Sequence, residues 1–277
     1  MSWLRKSLCA LAVCAATGMS ATGCETNEGI VFVVGVLDAE RTDCVAQPES
    51  DAILLHGGVI DLAVGGARPY KSWLLVASQL TPRGSREQIR IEPNYINLEG
   101  AEVSLQDATG GTLAIAPNPF STFGSGVIPP SEGSEPGLGV MLIDLLPAGV
   151  AQQLGTGTLI ARVRAFGTTL GGTAVESNEF AFQISICNGC LITYPQDAFD
   201  PTQGDTRFVC AESGAEDVDE GGCFIGQDDL VPCTLCATVS NACKDPCQNC
   251  AFRPSLDQAE RCTGEPAPTC PAPQPQP

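Results

Sequence analysis

Glu179-Phe180-Ala181-Phe182-Gln183-Ile184-Ser185-Ile186 alternates strictly, with Phe180, Phe182, Ile184 and Ile186 on one side of an extended chain and Glu179, Ala181, Gln183 and Ser185 on the other. A period of two is that of a β-strand with one buried face. Upstream, Leu159, Ala161, Val163 and Ala165 repeat the pattern with Arg162 and Arg164 turned the other way, and Gly171-Gly172-Thr173 marks a turn between the two runs. Together they predict a long antiparallel hairpin. Ala101, Val103 and Leu105, followed by Asp107-Ala108-Thr109-Gly110-Gly111 and then Leu113 and Ile115, predict a second hairpin.

Further short apolar runs cover residues 30–37, 53–64, 72–80, 88–92 and 140–146, separated by Gly and Pro. Residues 148–154, opened by Pro147, predict a single helical turn. The Pro- and Gly-rich span 117–139 reads as a loop. The expected fold is mainly β. Many short strands joined by turns resemble the immunoglobulin-like antiparallel sandwich, expected over residues 30–186. The Cys and Trp signature of antibody domains is missing, because Cys44 is the single cysteine in that range.

Cysteine use changes abruptly at residue 187. Of 15 cysteines, twelve follow Cys24: Cys44, Cys187, Cys190, Cys210, Cys223, Cys233, Cys236, Cys243, Cys247, Cys250, Cys262 and Cys270. An exported chain uses such density as a disulfide framework. All twelve are expected in bridges whose pairing spacing does not decide, except that Cys44 needs a partner beyond Ile186. Residues 187–262 form an acidic, cysteine-rich module without apolar periodicity, so its order is expected to come from disulfides. Between Gln196 and Asp229 there are ten acids, among them Asp197, Asp200, Glu216, Asp217, Asp219 and Glu220, against the single base Arg207. Residues 263–277 are a proline-rich tail, expected to be disordered.

Residues 1–23 read as an export signal. Arg5 and Lys6 precede an apolar stretch, residues 8–16, too short to span a bilayer, and small residues follow. Ala21-Thr22-Gly23-Cys24 resembles the lipobox of bacterial lipoproteins, with Ala21 where that family usually has Leu. The resemblance implies that Cys24 is lipidated and becomes the first mature residue, followed by a short tether, residues 24–29. Lipidation at Cys24 also leaves an even number of cysteines for pairing. Glu25, in place of the Asp that resembles an inner-membrane retention signal, favours the outer membrane.

The formal charge of −18 opposes nucleic-acid binding, which needs a basic footprint. Three CxxC pairs, Cys187/Cys190, Cys233/Cys236 and Cys247/Cys250, have the spacing of zinc or redox sites, but oxidised sulfur ligates no metal. A redox pair also wants the start of a helix, which the surroundings are not expected to supply. Cys243, Cys247 and Cys250 match the spacing of the radical-SAM cluster motif, in a setting unlike that family's barrel. Leu55-His56-Gly57-Gly58 resembles the oxyanion motif of α/β-hydrolases, but the sequence has no G-x-S-x-G and no second histidine, so His56 is expected in a turn. The acids of 215–220, with Asp197, Asp200 and Asp205, lack the spacing of an EF-hand.

The reading is a membrane-anchored exported lipoprotein with a non-catalytic binding, adhesion or structural role at the cell envelope, without a cofactor or metal, whose partner is an envelope or extracellular protein. Two other readings stay open: an exported metal-binding or redox protein using the CxxC pairs, and a calcium-dependent adhesion protein.

Overall fold

The computed structural model describes residues 29–39, 43–65, 68–83, 92–194 and 223–236. The strands, in chain order, are β1 (Val31–Leu37), β2 (Leu54–Leu55), β3 (Gly58–Asp61), β4 (Tyr70–Ser78), β5 (Ile96–Asp107), β6 (Phe120–Ile128), β7 (Gly137–Leu146), β8 (Gly157–Thr169), β9 (Ala174–Glu176), β10 (Phe180–Cys187), β11 (Ile192–Thr193) and β12 (Val231–Pro232). Among the described residues helix is confined to single turns: α1 (Leu62–Gly65), α2 (Val150–Leu154) and α3 (Cys233–Cys236). The described chain is therefore mainly β.

One antiparallel sheet has the order β2-β1-β4-β7 and a second the order β3-β10-β8-β5-β6, with β9 added beside β8. All pairs in both are antiparallel except β3 with β10, which run parallel from Gly58 opposite Ile184 to Asp61 opposite Cys187. A third, two-stranded sheet joins β11 and β12 in parallel.

Alternation sets the buried faces. Leu159, Ala161, Val163 and Ala165 of β8 and Phe182, Ile184 and Ile186 of β10 are buried, and they join Val36 of β1, Leu74 and Val76 of β4, and Met141, Ile143 and Leu145 of β7 in one apolar core. That cluster draws on both large sheets, so each covers the other's apolar face. The expected hairpin of β8 and β10 forms, with Phe180 opposite Val163 and Ile186 opposite Gly157. Pro147 opens the expected helical turn: its carbonyl accepts a hydrogen bond from Val150 N–H at 3.2 Å.

The structure corrects the expectation of a loop over residues 117–139. That span contains all of β6, which pairs with β5 from Ile96 opposite Ile128 to Val103 opposite Phe120, and the first residues of β7. The second hairpin differs accordingly. Leu113 N–H still donates to Leu105 O at 3.1 Å, but the chain then leaves, and Asn118 completes the end of β5 instead. Its Oδ1 accepts from Leu105 N–H at 2.8 Å, while its Nδ2 donates to the carbonyls of Leu105 and Leu113. Most of the run at 88–92 lies outside the described residues, and the run at 53–64 divides into β2, β3 and α1.

Glycine in β6 has a steric reason. A Cβ on Gly124 would meet the Leu142 carbonyl oxygen at 2.5 Å, and one on Gly126 would collide with the Val140 carbonyl oxygen. Small residues here let β6 cross β7 backbone to backbone, closing one side of the core. Gly126→Val should therefore be destabilising by about 2 kcal/mol or more through overpacking. The check is a chemical-denaturation midpoint compared with Ser125→Val, which changes an exposed neighbour and should leave the midpoint nearly unmoved.

Candidate functional site

Asp61 ends β3 inside an otherwise apolar stretch, Val59-Ile60-Asp61-Leu62, and is fully buried. A buried carboxylate needs donors on its oxygens. Oδ1 accepts from Gly189 N–H at 2.6 Å and Ala63 N–H at 2.9 Å, and Oδ2 accepts from Leu191 N–H at 2.9 Å. Asp61 N–H in turn donates to Gly226 O at 2.8 Å. One residue thus joins β3, the turn after β10 and the segment 223–232.

That segment continues the second sheet beyond β3. Gln227 bridges antiparallel to Ile60, and Asp228 N–H donates to Val59 O at 3.0 Å. Its side chains then reach across to the first sheet. Gln227 Oε1 accepts from Lys71 N–H at 2.9 Å, and Gln227 Nε2 donates to Lys71 O, so the side-chain amide pairs with β4 as a strand would. Asp228 Oδ1 accepts from Val59 N–H at 2.7 Å, and Oδ2 accepts from the Tyr70 hydroxyl at 2.7 Å and from Gln227 Nε2 at 3.2 Å. Tyr70 is fully buried, its ring 6.3 Å from that of Phe182. Gly58 leaves room for it, since a Cβ there would overlap the Tyr70 hydroxyl.

Burial raises the Asp228 carboxyl above its ordinary value, although bonds from Val59 and Tyr70 pull the other way. Burial also pushes the Tyr70 phenol well up, and the Asp228 carboxylate beside it adds to the rise. Tyr70 thus stays protonated and serves as a hydrogen-bond donor.

Four of the twelve cysteines lie in two bridges at this junction. Cys44 pairs with Cys223, Cα atoms 5.2 Å apart, tying the region before β2 to the start of segment 223–232, hereafter the strap. Cys187 pairs with Cys190 across the turn whose N–H groups bind Asp61. Cys233 and Cys236 are also disulfide-bonded and are buried on α3 with Val64, Ile192 and Val231. The expectation that no helix accompanies a CxxC pair is corrected here, since α3 starts at Cys233. Sγ of Cys187, Sγ of Cys190 and an Asp61 oxygen lie within 4.8 Å of one another. While the two sulfurs are bonded to each other they offer no thiolate, so this grouping is a structural knot. Cys24, Cys210, Cys243, Cys247, Cys250, Cys262 and Cys270 lie outside the described residues, as do the acids of 215–220 with Asp197, Asp200 and Asp205. His56 is exposed in the bend between β2 and β3.

Two adjoining depressions border the strap, sharing Lys71 and Gln227. A shallow one of about 30 Å³ runs past Leu37, Leu55, Trp73, Asp228 and Asp229. Beside it a cleft of about 260 Å³ is walled by Ile60, Pro69, Phe224 and Ile225, with Arg68 and Lys71 at its polar positions. Lys71 Nζ pairs with Asp144 at 2.9 Å. Arg68 makes no ion pair or hydrogen bond with a described residue.

Sequence reasoning missed Asp61, Tyr70, Gln227 and Asp228. A lone acid in the apolar run 53–64 was the available signal for Asp61, whereas Gln227 and Asp228 are indistinguishable in sequence from their acidic surroundings. No model of a known protein family matches the chain, and no curated protein matches it in sequence.

Two outcomes follow from this geometry. Asp61→Ala strands three N–H groups and should cost about 3 kcal/mol or more, whereas Asp61→Asn, which keeps one acceptor oxygen, should cost less; denaturant melts read both. Because the folded-state pKa of Asp228 is raised, its stabilising contribution is complete below the unfolded carboxyl pKa and is lost as pH rises through the folded value. The Tm of the native chain minus that of Asp228→Asn should therefore fall as pH rises through this window, and a flat or rising difference would contradict the assignment.

Proposed function

We propose that the chain is an exported bacterial lipoprotein, acylated at Cys24 and held at the cell envelope on the outer membrane, where it binds a protein partner or ligand, or acts structurally, without catalysing a reaction. The observation that carries this reading is the oxidised state of the cysteines at the junction, Cys44–Cys223 and Cys187–Cys190. Disulfides in such number belong to an oxidising compartment, and the lipobox-like Ala21-Thr22-Gly23-Cys24 supplies a route to it. Acyl chains contribute about 0.8 kcal/mol per buried methylene, so a multiply acylated Cys24 is enough for a firm anchor. Among the described residues no helix is long and apolar enough to cross a membrane.

The finer fold reading is an immunoglobulin-like sandwich. The order β1-β4-β7 corresponds to the A, B and E strands of that architecture, and β10-β8-β5-β6 to G, F, C and an added C′. In this reading β3 is the part of the first strand region that has left the β1 sheet to join β10. The sandwich presents the strap and its cleft at one end, where loops of such domains carry binding residues.

Intact mass of protein extracted from its native membrane, alkylated before and after reduction, tests the proposal. We expect a chain starting at Cys24 with added acyl mass, no reactive thiol before reduction and twelve after it. A chain that starts elsewhere without lipid, or that shows free native thiols, would overturn the lipoprotein reading.

A further inference from the structure

We infer that the cleft between the strap and the β3–β4 connection is a binding site for a compact anionic amphiphile: one carboxylate or similar acidic head on a short apolar body. This deepens the binding role proposed above and rests on that reading only in taking the chain to be a binder. The anchor is tested separately, by mass.

The cleft's walls set the apolar part. Ile60, Pro69, Phe224 and Ile225 line it, and Ile60 belongs to the main core, so the cleft is backed by packed structure. Its volume of about 260 Å³ falls just below the ~300–1,000 Å³ of sites for drug-sized ligands. At ~30 Å³ per water it has space for roughly nine waters, which suits a short-chain or single-ring acid.

The head is set by which polar groups remain uncommitted. Gln227 has its amide engaged on both sides by Lys71 and Asp228. Lys71 is partnered by Asp144. Arg68 stands exposed at the cleft with no partner among the described residues, in a chain whose acids outnumber its bases 32 to 14. A guanidinium presents a planar donor fork suited to a carboxylate. The strap carboxylates Asp228 and Asp229 line the neighbouring depression and not the cleft, and Asp228 is turned to Tyr70 and Val59. An acid in the cleft therefore meets the Arg68 guanidinium, with Lys71 already paired to Asp144, beside the apolar side chains of Ile60, Pro69, Phe224 and Ile225.

Octanoate and 1-octanol, equal in chain length and different in charge, test this. The protein is the exported, fully oxidised chain carrying Cys24→Ser, so that neither acyl chain nor detergent competes. Titration calorimetry should show saturable one-to-one binding of octanoate, weakened by salt, with 1-octanol bound at least about tenfold more weakly; a charge-assisted hydrogen bond of ~1.5–3 kcal/mol supports that factor. Arg68→Ala should remove the preference for the acid and Arg68→Lys should restore part of it. Arg68 is exposed and has no partner among the described residues, so neither change should shift the melting temperature. Equal binding of acid and alcohol, octanoate affinity unchanged in Arg68→Ala, or no saturable octanoate binding would each overturn the proposal. A failure here with acylated Cys24 established would leave the lipoprotein reading intact.

Discussion

The carboxylate of Asp61 is the constraint on which the junction depends. It accepts hydrogen bonds from Gly189 and Leu191, more than a hundred residues away in sequence, and its own N–H reaches Gly226. A buried carboxylate is costly unless its oxygens find donors, so the site is stable only when β3, the turn after β10 and the strap are all in place. Asp61 can occupy this position because β3 belongs to the second sheet and lies parallel to the end of β10. The strap then docks on β3, and Gln227 and Asp228 carry the connection to β4. The two large sheets are thus joined at this end by polar bonds as well as by the apolar core.

The disulfides contribute unequally. Cys44–Cys223 spans 179 residues and includes nearly every strand, so in the chain-entropy model it removes about 5 kcal/mol of unfolded-state freedom. Cys187–Cys190 spans three residues and by the same formula removes about 1–2 kcal/mol. The short bridge acts locally, shaping the turn that presents the Gly189 and Leu191 N–H groups to Asp61. The long one keeps the strap near its docking site, so the bonds of Gln227 and Asp228 form at a low entropic cost. The disulfides expected to carry the order of the acidic module are joined, in its described part, by further bonds and burial. Residues 223–236 also form backbone bonds to β3 and bury Val231 against Val64 and Ile192.

How much was legible follows from what each residue meets. β5, β8 and β10 declare themselves because their inward positions are uniformly apolar, as Leu159, Ala161, Val163 and Ala165 are. β6 inverts the pattern. Its inward positions include Thr122, Gly124 and Gly126, because β7 passes too close for larger side chains, while Phe123 and Val127 are exposed. A pattern reader therefore sees Gly, Ser and Pro and infers a loop. The strand is specified by its neighbour's backbone, which no local window contains. Tyr70, Asp61 and Asp228 share that difficulty, since each is decided by partners 120 or more residues away.

Net charge was a poor guide to the local electrostatics of the site. The chain is strongly acidic, and the natural inference is an affinity for cations or basic surfaces. Around the strap, however, fixed donors take up the nearby carboxylates: three backbone N–H groups on Asp61, and Val59, Tyr70 and Gln227 on Asp228. Lys71 is balanced by Asp144 on the neighbouring strand. Once these pairs are formed, the charged group left uncommitted at the cleft among the described residues is the Arg68 guanidinium. The long-range field, screened over about 10 Å at ordinary salt, governs solubility and approach, whereas selectivity at contact distance follows the groups that folding leaves unpaired. An acidic protein can in this way present a site for acids.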